Sequence, residues 1–202
     1  FLPMAERFQL MVPIDQLVME KVFSALSEGT LTLIDNQVSV APVFYCVTLS
    51  ESALQDIRFM SWLDDQMDSY PHVASSLMIE VSEHIVNYNE SALQGLSQLA
   101  KKHHFKISIE RFGVTTPSFA YLQRVPRDVL KVDHSVIRAI ENNEMNQFFL
   151  RSALQLAHSQ SIKVIAVGVE TESEWNTLKS IGLDGAMGCH LERPAENKVF
   201  TT

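Results

Sequence analysis

A regular alternation of short apolar runs with longer amphipathic ones constrains this chain more than any other feature. Runs that read as strands fall at Phe44–Leu49, Ser76–Val81, Phe105–Glu110, Val129–Val132, Lys163–Val169 and Gly185–Cys189. Between them lie helical patterns at about Ile14–Leu26, Ser50–Met67, Glu90–His103, Phe119–Gln123, Asn143–Ser159 and Glu172–Ile181. Thr171 is placed to cap the last of these and Gly182 to stop it. Short strands joined by helices form parallel sheets, because each crossover helix covers a face of the sheet.

Six such strands suit either an open doubly wound sheet or most of an eight-stranded barrel. No Gly-rich phosphate loop follows a strand, so the nucleotide-binding open sheet loses its main support. Acids instead close successive strands, at Glu80, Glu110, Asp133 and Glu170, and barrel enzymes place their chemistry at those ends. The expectation is an α/β fold of the (β/α)8 TIM type, one domain over residues 1–202, with its first two strands upstream of Phe1. The opening on "FLPMAERF", without a start methionine, fits a piece of a longer protein. One stretch stands apart. Thr30–Pro42, "TLTLIDNQVSVAP", alternates like extended chain around an Asp-Asn turn signal. It reads either as a hairpin appended to the barrel or as a loop laid over its rim.

Composition narrows the function classes. The chain is 46% apolar and 20% charged, which is the composition of a folded domain. A formal net charge of −8 repels phosphate backbones, so direct nucleic-acid binding by this domain is not expected. Cys46 and Cys189 sit in apolar runs without disulfide or zinc spacing, the pattern of a reducing cytoplasm. No apolar run reaches the 18 residues of a membrane span, and no signal peptide is evident. His103-His104 precedes a strand at the barrel end away from its chemistry and reads as a solvated turn rather than a metal site. His134 and His190 lie nearer the strand ends, with no third ligand at a recognisable spacing. In "RFMSWLDDQM", Phe59, Trp62, Leu63 and Met67 recur at helical spacing. That is a core stripe or, alternatively, an aromatic anchor for a partner.

The strand-end motifs, in order, resemble the EAL family of cyclic-di-GMP phosphodiesterases. "FLPMAERFQLMVPID" is similar to the helix entry after the family's Glu-Ala-Leu strand, and "MIEVSE" to its Glu-Ile-Thr-Glu strand. "ERFG" stands where the family has Asp-Asp-Phe-Gly, and "LKVDHSVI" where it has Leu-Lys-Ile-Asp. "IAVGVET" and "MGCHLERP" are similar to its last two strand ends. The resemblance implies a (β/α)8 barrel with an antiparallel first strand. It also implies a chemistry in which two divalent cations, about 4 Å apart, activate water and clamp the scissile phosphate.

Carried over position by position, Glu80 keeps a ligand carboxylate, Lys131 keeps the family's lysine, and Asp133 and Glu170 keep their acidic character. Other positions depart. Thr48 replaces an asparagine, Glu110 and Arg111 replace the paired aspartates, Val167 replaces a glutamate and Met187 a glutamine. The loop after the aspartate pair reads "VTTPS" and has lost its glycines. A guanidinium about 4 Å from a dication is repelled by several kcal/mol even at a surface-like dielectric. The resemblance therefore implies a barrel with no metal, no cofactor and no hydrolysis. Arg111 is expected to pair with Glu80, Glu110 or Asp133 and to occupy volume that metal would fill in an active relative.

A narrower resemblance, through "RFMSWLDDQM", "CVTLSESAL", "NQFFLRSALQLA" and "SEWNTLKSIG", is to the CsrD/MshH-type regulators. It implies a cytoplasmic domain of an inner-membrane-anchored bacterial protein, acting in RNase E-dependent turnover of small regulatory RNAs. It implies docking of unphosphorylated glucose-specific enzyme IIA, with a homodimer as a further assembly. A second resemblance, through "FLP…ERF" and the "RFG" strand end, is to LapD-type receptors. That one implies binding of cyclic di-GMP without cleavage.

Overall fold

The computed structural model describes residues 1–27, 44–114 and 127–193. The Thr30–Pro42 stretch, the Phe119–Gln123 helix and nearly all of the "VTTPS" loop lie outside the described residues. The chain divides into two compact units, one from residues 1–81 and 89–106, the other from 82–88 and 107–193.

In the first unit, α1 (Leu2–Arg7) and α2 (Met11–Ser27) precede β1 (Tyr45–Thr48). Then come α3 (Glu51–Gln55), α4 (Ile57–Ser69), α5 (Pro71–Ala74), β2 (Leu77–Ser82) and, later in the chain, α7 (Glu90–His103). β1 and β2 run parallel, with Thr48 opposite Glu80. The core is built from Met19, Phe23, Leu49, Leu63, Met67, Leu77, Ile79, Leu93 and Leu96, all fully buried. Phe59 is buried with Leu63 and Met67, so the stripe of "RFMSWLDDQM" is core. Trp62 lies half-buried, its ring tilted 5.6 Å from that of Phe59.

The helix expected over Ser50–Met67 is two helices. Asp56 takes extended geometry (φ −81°, ψ 109°) and its carboxylate accepts from the Arg58 and Phe59 N–H groups. The break leaves the first amides of α4 without helical carbonyls, and the Asp56 carboxylate supplies their acceptor. Ser50 caps α3 in the same way, through Ala53 N–H. Asp15, buried on α2, accepts from Ser50 N–H at 2.9 Å. Burial raises the Asp15 carboxyl above its ordinary range, only partly opposed by Ser50.

The second unit holds α6 (Glu83–Tyr88), β3 (Lys106–Phe112), β4 (Val129–Val132), α8 (His134–Ile137), a 3-10 turn (Ile140–Asn142), α9 (Glu144–Ser159), β5 (Lys163–Val167), α10 (Glu172–Ile181) and β6 (Gly185–Met187). The strand order β3-β4-β5-β6 follows the sequence and every pairing is parallel, as the alternation of strand and helix predicts. Thr171 and Glu174 form a capping box at the start of α10, and Gly182 closes it with φ 94°. β5 ends two residues earlier than expected because Gly168 turns the chain at φ 80°. A Cβ there would stand 2.7 Å from that of His134, so only glycine allows this approach. Phe112 stacks on Phe149 at 5.6 Å and closes the core at the end of β3.

Candidate functional site

Within the first unit, the strand ends bring Thr48 and Glu80 together. They are register partners, and the Thr48 hydroxyl donates to Glu80 Oε2 at 3.4 Å. Leu49 N–H donates to the Glu80 carbonyl, so the carboxylate is carried on a fixed stretch of backbone. Glu80 is buried, at 8% exposure.

Within the second unit, the strand end is shaped by a bulge. Ile109 pairs with Leu130 and Phe112 with Val132, so two residues of β3, Glu110 and Arg111, oppose only Lys131 of β4. Arg111 has φ 57°, a left-handed conformation that side chains rarely adopt and that costs on the order of 1–3 kcal/mol. A bulge re-aims a side chain without shifting the ladder beyond it. Here it turns Arg111 outward. The guanidinium reaches Asp133, with Nε 4.0 Å from Oδ2, but the side chain is 66% exposed. The expected partner is therefore Asp133, while the guanidinium does not fill a buried metal position.

Asp133 is buried and already engaged. It caps α8 through Ser135 N–H at 2.9 Å, and His134 Nδ1 stands 3.2 Å from its Oδ1. Burial pushes its carboxyl upward, but Ser135, His134 and Arg111 together outweigh this and hold it below the usual range. Lys131, also buried, lies two residues before it on β4. Glu170 is placed differently. It is largely exposed, at 4.0 Å from Arg138 Nη2. Its own N–H donates to the buried Glu174, which also accepts from Thr171 and Ala139. Val167 and Met187 are register partners on β5 and β6. They border a cavity of about 660 Å3 with Gly168, Ala186, Gly188, Cys189, Leu191, Glu192 and Arg193, in whose wall Glu192 is the carboxylate.

Sequence reasoning missed Glu83. It is 3% exposed, opens α6, and accepts from Gly113 N–H at 3.2 Å, which ties that helix to the turn after the bulge. Its signal was present: an acid at a helix start three residues after a strand-end acid. With Ser82, His84, Arg111 and Val114 it lines a cavity of about 230 Å3. The His103-His104 pair also needs correcting. His104 closes α7 in the left-handed conformation, φ 61°. The His103 side chain, however, is only 5% exposed and lies against Asp64 at 2.5 Å. The carboxylate holds it inward, where a solvated turn was expected.

The family described as "EAL domain" matches residues 1–194. Among curated proteins, the chain is 28% identical over 194 residues to "Cyclic di-GMP phosphodiesterase PdeF" of Escherichia coli (strain K12), covering 96% of this chain and 25% of that one. It is 26% identical over 189 residues to "RNase E specificity factor CsrD" of the same organism, covering 93% and 28%. It thus spans about a quarter of the length of these relatives. Among solved structures, "Vibrio cholerae LapD S helix-GGDEF-EAL (apo)" superposes with a TM-score of 0.84 at 20% identity, covering 96% of this chain and 45% of that one.

Proposed function

Because the chain belongs to the EAL domain family and has its α/β barrel fold of the TIM type, we propose that it is a catalytically inactive EAL domain. It serves as a protein-interaction and signalling module. One observation carries this reading: at the strand end where the family chemistry calls for paired aspartates, a guanidinium stands at Asp133. The residues present do not fit a pair of divalent cations. Hard cations need a dense set of oxygen donors, and Val167 and Met187 supply none. Asp133 spends one oxygen on Ser135 N–H, and Glu170 faces solvent beside Arg138. The test is turnover of cyclic di-GMP with Mg2+ or Mn2+. The expected result is no linear product above a buffer blank, and metal-dependent hydrolysis overturns the reading.

The similarity to a protein named as an RNase E specificity factor supports a CsrD/MshH-like context. There the partner is unphosphorylated glucose-specific enzyme IIA, and the effect on RNA turnover passes through RNase E. The net charge of −8 adds a physical reason for a switch. A partner histidine that gains phosphate at the interface is repelled by an acidic surface. Titrating enzyme IIA in both phosphorylation states tests this, with weaker binding of the phosphorylated form expected and equal binding rejecting the switch.

A second reading is a receptor that binds cyclic di-GMP without cleaving it, and the exposure of Arg111 favours it. A guanidinium at the lip of a cavity, on a side chain 66% exposed, can meet a phosphate bidentately. Calorimetry with cyclic di-GMP, with and without Mg2+, separates the two readings. Micromolar or tighter binding selects the receptor.

A further inference from the structure

Outside the strand ends, α4 and α7 bring together a set of side chains that the signalling function does not use. Asp64 and Asp68 lie one turn apart on α4, and His103 is the last residue of α7. One ligand atom from each lies within 4.8 Å of the other two. His103 Nε2 is 2.5 Å from Asp64 Oδ1, and its Nδ1 is 3.9 Å from Asp68 Oδ1. A cation already sits among them. Lys102 Nζ is 2.8 Å from Asp64 Oδ1 and 2.8 Å from Asp68 Oδ2. The Lys102 ammonium, and after it His103, hold the Asp64 carboxyl below its ordinary range.

We propose that Asp64, Asp68 and His103 form a divalent-cation site of the zinc class, for which Lys102 is a built-in competitor. One imidazole with two carboxylates is a borderline-soft donor set that suits zinc or cobalt better than the all-oxygen preference of magnesium. Tetrahedral zinc with bonds of about 2.0–2.2 Å holds its ligand atoms about 3.3–3.5 Å apart, so donors that lie within 4.8 Å of one another close by about an ångström or less. The Asp68 side chain, 57% exposed, is free to make that move. The buried imidazole supplies the fixed ligand. Two carboxylates exceed the single ammonium by one negative charge, and a dication cancels both. The Lys102 side chain, 48% exposed, leaves by swinging into water. Its presence sets a threshold: zinc binds only when it outcompetes a tethered ammonium, and the bound ion then bridges α4 to α7.

The experiment titrates Zn2+ into the 202-residue chain by calorimetry, with Co2+ absorption as the readout of coordination. Far-UV circular dichroism controls for folding. One zinc per chain is expected, with no competition from millimolar Mg2+. Lys102→Met tightens the dissociation constant by about tenfold, the scale of one charged hydrogen bond. His103→Gln and Asp64→Asn abolish the uptake, while Arg111→Ala leaves it unchanged, which separates this site from the strand ends. Asp68→Asn, at a more exposed position, is the second variant if the others fail to fold, and it also weakens binding. Lys102→Met taking up no zinc, or Asp64→Asn and Asp68→Asn binding as tightly as the parent, overturns the site. So does Mg2+ displacing Zn2+ at equal concentration.

Discussion

Two aspartates of the second unit, Asp133 and Asp184, have similarly shielded side chains, 10% and 15% exposed, and opposite employment. Asp184 opens β6 at the start of the strands. Its carboxylate accepts from Val164 N–H, Lys163 Nζ and His158 Nε2, each at 2.8 Å. Asp133 follows β4 at the end of the strands, with one amide and His134 close by and its cation at 4.0 Å. Both carboxyls stay below the ordinary range. In each case burial pushes up, and Lys163, His158 and Val164 outweigh it at Asp184 as Ser135, His134 and Arg111 do at Asp133. The difference lies in saturation. Asp184 is consumed by the fold, whereas Asp133 keeps a loosely engaged cation at the end where ligands would arrive.

Acid sharpens that comparison most, because it acts on several groups at once. Asp64, Asp133, Glu174 and Asp184 all have depressed carboxyls. Their stabilisation is complete above the unfolded values near 4, and is lost as pH falls through the lower folded values. Asp15, raised by burial, works in the opposite sense and offsets a part on protonation. Urea midpoints between pH 7 and pH 3 should fall steeply below about pH 4. A flat profile breaks the premise that these acids hold the fold.

Next in size is Asp184→Asn. It removes the charge facing Lys163 and turns an amide toward groups that all donate, at a cost of about 2–3 kcal/mol in urea unfolding. The matched change Asp133→Asn should cost only about 0.5 kcal/mol, because asparagine still caps α8 and the pairing with exposed Arg111 is weak. Equal costs at the two positions would abolish the contrast. The smallest effect has the opposite sign. Arg111→Gly should stabilise by about 0.5–1 kcal/mol by releasing a left-handed side-chain residue, while Arg111→Ala stays within about 0.5 kcal/mol. A marked loss in the glycine variant would mean that the guanidinium holds the strand end more firmly than 4.0 Å suggests.

The elements legible in the sequence were those with local signals. The parallel strands followed from their alternation with helices, and the ends of α10 from Thr171 and Gly182. What escaped was set by geometry between elements. Asp56 reads as one more polar residue on a helix until its carboxylate is seen to start a new one. The bulge at Arg111 is invisible because the periodicity of a strand does not announce an extra residue. Hence the identity of Arg111 was legible and its outward aim was not. His103 looked solvated because its partner lies 39 positions earlier, beyond any local pattern.

The bulge of β3 has a consequence for how such a domain changes over generations. Glu110 and Arg111 share one partner position on β4, while Ile109 and Phe112, on either side, hold the register and are buried. Residues set outside the ladder are exchanged without disturbing the ladder itself. An acid and a base can exchange there without disturbing the pairing on either side, because neither enters the ladder. The same independence works in both directions: an acid placed at that position would leave the ladder, and with it the shape of the strand end, as it is.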